Sequence, residues 1–104
     1  MIQKTRLMKA VFIVYNQALT ERVAELLDRA GARGFTQWQD VTGRGSQKGE
    51  PHMGTHTWPA LNTAVLSVVD ENIADKLFRG VEEINKTAEE QGIRAFSWNV
   101  EASV

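Results

Sequence analysis

The chain has 104 residues, with 12 Lys and Arg against 13 Asp and Glu, so its formal net charge is -1; this length fits one domain, and the balanced charge excludes the basic excess of a bulk nucleic-acid binder. It contains no cysteine, which excludes disulfides, thiolate catalysis and cysteine-ligated zinc or iron–sulfur centres and agrees with a reducing compartment. With 42% hydrophobic and 24% charged residues, the composition is that of a globular domain able to bury about two-thirds of its unfolded surface.

Lys4, Arg6 and Lys9 resemble the basic start of a signal peptide. The apolar stretch that follows, Ala10 to Tyr15, is too short for a signal core and lacks a small-residue cleavage site. It is also too short to span a bilayer. Residues 1–8 are expected to be an N-terminal extension, and the protein to be cytoplasmic, without membrane insertion. Residues 9–15 (KAVFIVY) are β-branched and aromatic with no polar alternation, the pattern of a strand covered on both faces. Leu19, Val23, Leu26, Leu27 and Ala30 recur at helical spacing, and Gly31 supplies the left-handed stop. Residues 35–41 (FTQWQDV) alternate as an edge strand does. No period of either kind runs through 42–59. Residues 62–69 (NTAVLSVV) are again nearly all apolar. Asn72, with Asp75 three residues on, predicts the start of a second helix. Ile73, Leu77, Val81, Ile84 and Ala88 form its apolar face, and Gly92 is expected to close it. Gly80 lies inside this helix, where it costs about 1 kcal/mol relative to alanine; close packing against the sheet would explain it. Residues 94–100 (RAFSWNV) alternate, with Phe96, Trp98 and Val100 on one side.

The order predicts an α+β fold, the ferredoxin-like βαββαβ arrangement, as one domain over 1–104: a four-stranded antiparallel sheet with two helices on one face. In that topology the first and third strands are central, and they are the two apolar ones here. Two helices cover one sheet face only. Ala10, Phe12 and Val14 then face away from the helices, opposite Val11, Ile13 and Tyr15. A bare apolar sheet face predicts a partner subunit.

The 42–59 segment, TGRGSQKGEPHMGTHTWP, holds four of the eight glycines, both prolines and both histidines. In Gly43-Arg44-Gly45-Ser46-Gln47-Lys48-Gly49 the glycines let backbone N–H groups approach a ligand, and Arg44 and Lys48 add positive charge. The run suits an anion, such as a nucleotide or metabolite, although its spacing is not that of a Walker A motif. A solvated loop with no ligand is the plainer reading. His52 and His56 offer imidazoles to a divalent metal ion, but two ligands per chain do not close a site, and Glu50, Met53 or another subunit would have to add more. Trp38 and Trp98 on edge strands and Trp58 near the third strand suit subunit contacts. RNA stacking would need aromatic and basic residues on the central strands, which are aliphatic here. An enzyme reading would use His52 or His56 as acid or base with Asp40 nearby. It ranks below a binding module, because the remaining carboxylates sit mostly on helix faces.

The run Val41-Thr42-Gly43-Arg44-Gly45-Ser46-Gln47-Lys48-Gly49 at the end of the second strand resembles the P-II signal-transduction family. The glycine- and glutamine-containing stretch at the base of that family's long mobile T-loop corresponds here to Gly43, Gly45, Gln47 and Gly49, and Pro59 resembles the end of that loop. The element order matches over residues 8–100. The resemblance implies a homotrimer with ligand clefts between subunits. It also implies a loop, 42–59 here, that reports ligand state to a membrane transporter or enzyme, without catalysis. Some features depart from the family pattern. The second glycine-rich loop is replaced by Thr87-Ala88-Glu89-Glu90-Gln91-Gly92-Ile93-Arg94, and the chain ends in Glu101-Ala102-Ser103-Val104 rather than a basic segment. Ala60 stands where a 2-oxoglutarate-binding lysine is usual, and the loop has no tyrosine for uridylylation. The resemblance is to a divergent member. The related divalent-cation-tolerance proteins share the trimeric plan, so a metal-tolerance or efflux role is the alternative implied.

Overall fold

The computed structural model describes residues 8–44, 51–54, 60–88 and 92–104. The first apolar run forms β1, Met8–Asn16, one residue longer at each end than its β-branched pattern; its first residue, Met8, already pairs with Asp70. A 3-10 turn, Gln17–Leu19, leads into α1, Thr20–Ala30. Gly31 ends α1 with φ 87°, and the Ala32 N–H donates to Leu27 O at 2.9 Å, the left-handed cap that only glycine adopts freely. β2, Thr36–Val41, β3, Asn62–Asp70, α2, Glu71–Thr87, and β4, Ile93–Asn99, complete the fold.

The sheet is antiparallel in the order β2-β3-β1-β4, so the two apolar strands are central, as their composition predicts. Alternate residues divide cleanly. Val11, Ile13 and Tyr15 stand opposite Ser67, Val65 and Thr63 on β3 and Ser97, Ala95 and Ile93 on β4. On this face Val11, Ile13, Tyr15, Val65 and Ile93 join Val23, Leu26 and Leu27 of α1 and Leu77, Val81 and Ile84 of α2 in one core. The buried Ser67 hydroxyl donates to Gly34 O at 2.6 Å, so that polar group is satisfied.

The start of α2 differs from the sequence expectation. Asp70, not Asn72, is the N-cap: its carboxylate accepts the Ile73 N–H at 2.9 Å, and Glu71 opens the helix. The last strand residue also caps, so no linker separates strand from helix. α2 ends at Thr87, with Ala88 as its cap residue, earlier than Gly92. Gly80 answers a helix neighbour rather than the sheet: a Cβ there would collide with Leu26 Cδ1 of α1 and lie 2.7 Å from Leu26 Cδ2.

Tyr15 is the single tyrosine. Burial raises its hydroxyl pKa above the ordinary 10.0, and a side-chain hydrogen bond with Thr20 opposes the shift. The unfolded chain therefore releases this proton first as pH climbs, so stability falls between the ordinary tyrosine value and the raised one. Chemical denaturation across that alkaline range is expected to show a decline that Tyr15→Phe flattens, while phenolate absorbance reads the same group directly. A titration of the folded protein at or below the ordinary tyrosine value would contradict it.

No helix among the described residues covers the other sheet face. Phe12 stands directly opposite Phe96, Ala10 opposite Trp98, and Ala64 opposite Trp38, with Leu66 and Val68 alongside. Phe96 is 55% exposed, Trp98 51%, Val68 46% and Trp38 45%. These side chains are contiguous by register, so they form a patch rather than scattered surface hydrophobics.

Candidate functional site at the base of the 42–59 loop

The chain leaves β2 through an irregularity. β2 pairs regularly with β3 as far as Trp38–Ala64, shifts register, and regains contact at Val41–Asn62. Asp40 has a positive φ, 56°, a conformation aspartate tolerates better than most residues. The extra residue turns the strand end. Just beyond, Gly43 forms an isolated antiparallel bridge with His52. The Gly43 N–H donates to His52 O at 2.8 Å, and the His52 N–H donates to Gly43 O at 2.5 Å.

A second backbone tie follows. The Gly54 N–H donates to Ala60 O at 3.1 Å. Gly54 has φ 68°, and a Cβ on it would lie 2.7 Å from Leu61 Cδ2, so no other residue fits there without strain. Leu61 O in turn accepts the Gln17 N–H at 2.9 Å, and Asn16 N–H donates to Gly92 O at 3.1 Å. The loop base, the end of β1 and the start of β4 therefore meet at one end of the sheet.

The side chains agree with this tie. His52 and Asn62 are both buried, at 8% and 6% exposure, and His52 Nδ1 contacts Asn62 Oδ1 at 2.5 Å. An amide oxygen only accepts, so the imidazole donates through Nδ1–H. In the neutral ring the lone pair is then on Nε2. A Cβ on Gly43 would sit 3.4 Å from Asn62 Nδ2, so the glycine lets the loop backbone come close to the pair. Asn62 shares its sheet face with Ala64, Leu66 and Val68, by strand alternation.

Of the residues singled out from the sequence, Gly43 and His52 are brought together, and Arg44, the next residue, is exposed. Gly45, Gln47, Lys48, Gly49 and His56 lie outside the described residues, as do Trp58 and Pro59. Among the described residues no three His, Asp or Glu side chains cluster as a metal site would require. The ring partner of His52 is an amide, Asn62, rather than Asp40. An amide orients the imidazole but carries no charge to stabilise an imidazolium, as a catalytic carboxylate partner does. Asn62 was not singled out, because a lone Asn at the start of an apolar strand reads as a turn residue. Arg94, opposite Val14 on the helix-free face, brings a second cation to this end of the sheet. No helix among the described residues is long and apolar enough to cross a membrane.

A family model described as nitrogen regulatory protein P-II matches residues 8–104. Comparison with curated proteins gave no match. Among solved structures, the chain is similar to CPII, a nitrogen regulatory PII-like protein from Thiomonas intermedia K12 bound to ADP, AMP and bicarbonate. The TM-score is 0.74 at 20% identity, covering 97% of this chain and 90% of that one. A putative PII-like signaling protein from Thermus thermophilus gives a TM-score of 0.67 at 26% identity, covering 93% of this chain and 89% of that one. A DUF3240 family protein from Shewanella baltica OS155 gives 0.64 at 9% identity, covering 92% of each chain.

Proposed function

We propose that this chain, which belongs to the nitrogen regulatory protein P-II family, is a small-molecule-sensing regulator that binds an anionic ligand at the base of its 42–59 loop. The observation that carries this reading is the family match over residues 8–104, which takes in the loop and every strand and helix described. The ligand class is an adenine nucleotide with a small anion beside it, in line with the ADP, AMP and bicarbonate bound by the Thiomonas protein. Gly43, Gly45 and Gly49 would offer backbone N–H groups, Gln47 an amide, and Arg44 and Lys48 the charge that a phosphate needs. The helix-free face would be covered by further copies of the chain, a trimer by family resemblance, so that the loop base lies in a cleft between subunits. Ligand binding would change the loop, and a transporter or enzyme would read the change. The role is binding rather than catalysis.

A second reading is favoured by the orientation of His52. Histidines that ligate metals donate their other ring N–H to a fixed oxygen, and Asn62 Oδ1 holds Nδ1–H in that way. Nε2 of His52, together with His56, would then bind a divalent ion linked to metal tolerance or efflux.

Isothermal titration of the assembled protein with ADP, AMP, bicarbonate and zinc separates the two. Saturable heat with a nucleotide is expected. Arg44→Ala should weaken it about tenfold or more, the loss of one hydrogen bond to a charged group. Heat with zinc alone, abolished by His52→Ala with His56→Ala, would favour the metal reading. No heat with either nucleotide would overturn the first.

A further inference from the structure

We infer that His52 is a positioning residue for anion binding at the loop base: its Nδ1–H, held by Asn62, pins the Gly43–His52 bridge, and with it Gly43 and Arg44, to the sheet. The inference rests on the functional reading above and names how that site is kept in order. Residues 44–51 lie between the two halves of the Gly43–His52 bridge, so that bridge closes a ring containing Arg44, Gly45, Gln47, Lys48 and Gly49. Two backbone hydrogen bonds on their own hold little against the entropy of opening a glycine-rich segment. The imidazole adds the missing restraint. It is buried, it donates to a buried acceptor on β3, and the backbone N–H and C=O of the same residue make the bridge. One residue therefore fastens the ring both to the strand it returns beside and to the sheet.

The anchor lies where the segment's position matters. Asn62 is the first residue of β3 and pairs with Asn16 of β1 and Val41 of β2, so it is fixed by central pairings rather than by the loop. Its side chain shares the helix-free face with Ala64, Leu66 and Val68. The pin thus ties the anion-binding segment to the face on which a second copy would sit. A ligand bound beside Gly43 and Arg44 and a neighbour that covers the face would act on the same side-chain pair.

The role is specific to one ring nitrogen, which makes it testable apart from any metal role for Nε2. Asparagine places an amide N–H close to the position of Nδ1 and leaves nothing at Nε2. Glutamine places its N–H near Nε2 instead. Hydrogen exchange of the amides at positions 43 and 52, measured on the full protein, is expected to speed up about tenfold in His52→Ala, His52→Gln and Asn62→Ala, the equivalent of one net hydrogen bond. His52→Asn is expected to stay close to wild type. ADP affinity should follow the same order, weakened in the first three and kept in His52→Asn. Thermal unfolding of each variant checks the fold. If His52→Ala does not fold, the contrast between the asparagine and glutamine variants decides.

Unchanged exchange in His52→Ala, or a His52→Asn as labile as His52→Gln, would overturn the inference. If the wild type binds no ADP, the functional reading falls, while the exchange measurements still decide the pin.

Discussion

If the wild type assembles as proposed, Phe96→Glu is expected to leave single subunits at micromolar concentration, with the fold of each subunit retained. Phe96 is 55% exposed in the isolated subunit and stands directly opposite Phe12 on the face without helices. A phenylalanine half-exposed to this degree leaves about 100 Å² to be covered, worth about 2.5 kcal/mol per copy when a neighbour covers it. A glutamate loses that gain and must also bring a carboxylate into an apolar contact, which costs several kcal/mol more unless it is paired. Together these raise the dissociation constant by about 100-fold or more. Trp98→Glu, at 51% exposure opposite Ala10, is expected to behave alike. Lys76→Glu, on the exposed side of α2, is the control and should leave the assembly intact. Sedimentation velocity with circular dichroism reads both outcomes. A wild-type protein that sediments as a single subunit would remove the argument, and with it the inter-subunit cleft.

That prediction was legible in the sequence for a simple reason. A run such as Ala10-Val11-Phe12-Ile13-Val14-Tyr15 is apolar at both parities, and a strand has only two faces. The helical periodicities of α1 and α2 then showed that one layer covers one of them. The same logic placed β1 and β3 at the centre and β2 and β4 at the edges. Local chemistry was harder to read where several residues compete for one role. Asp70 and Asn72 are both good helix caps, and the choice fell to Asp70 because β3 runs directly into α2. Gly92 has φ 84°, as a helix-ending glycine does, yet α2 stops before it at Thr87. The loop base was half legible. Gly43 and His52 were recognised as chemistry-bearing, but their bridge depends on the bulge at Asp40 and on Asn62, which joins them from across the sheet. A pair ten residues apart has no periodic signature. Reading both histidines as metal ligands followed from composition; the burial of one of them against an amide comes from tertiary structure.

Gly80→Leu is expected to destabilise the protein by about 3 kcal/mol or more, the overpacking penalty at its upper end, and Leu26→Ala is expected to relieve part of that loss. In an exposed helix a glycine would be a defect of about 1 kcal/mol, and alanine would repair it. Here the sign reverses. A Cβ at position 80 would meet three atoms of one side chain, colliding with Leu26 Cδ1 and lying 2.7 Å from Cδ2 and 2.9 Å from Cγ. Leu26 is 2% exposed and belongs to the core, so its isobutyl group cannot swing into solvent. Any side chain at 80 must drive α1 and α2 apart or distort Leu26. Leu26→Ala alone should cost about 2–5 kcal/mol by leaving a cavity. Combined with Gly80→Leu, the new side chain enters the space Leu26 vacates, so the double variant should lose about 2 kcal/mol less than the two single losses added. Urea unfolding at one fixed protein concentration measures all four proteins on the same footing, because the proposed assembly would make stability depend on concentration. Strict additivity would mean that the two residues do not share the crossing, and Gly80 would then be a helix defect with no packing role.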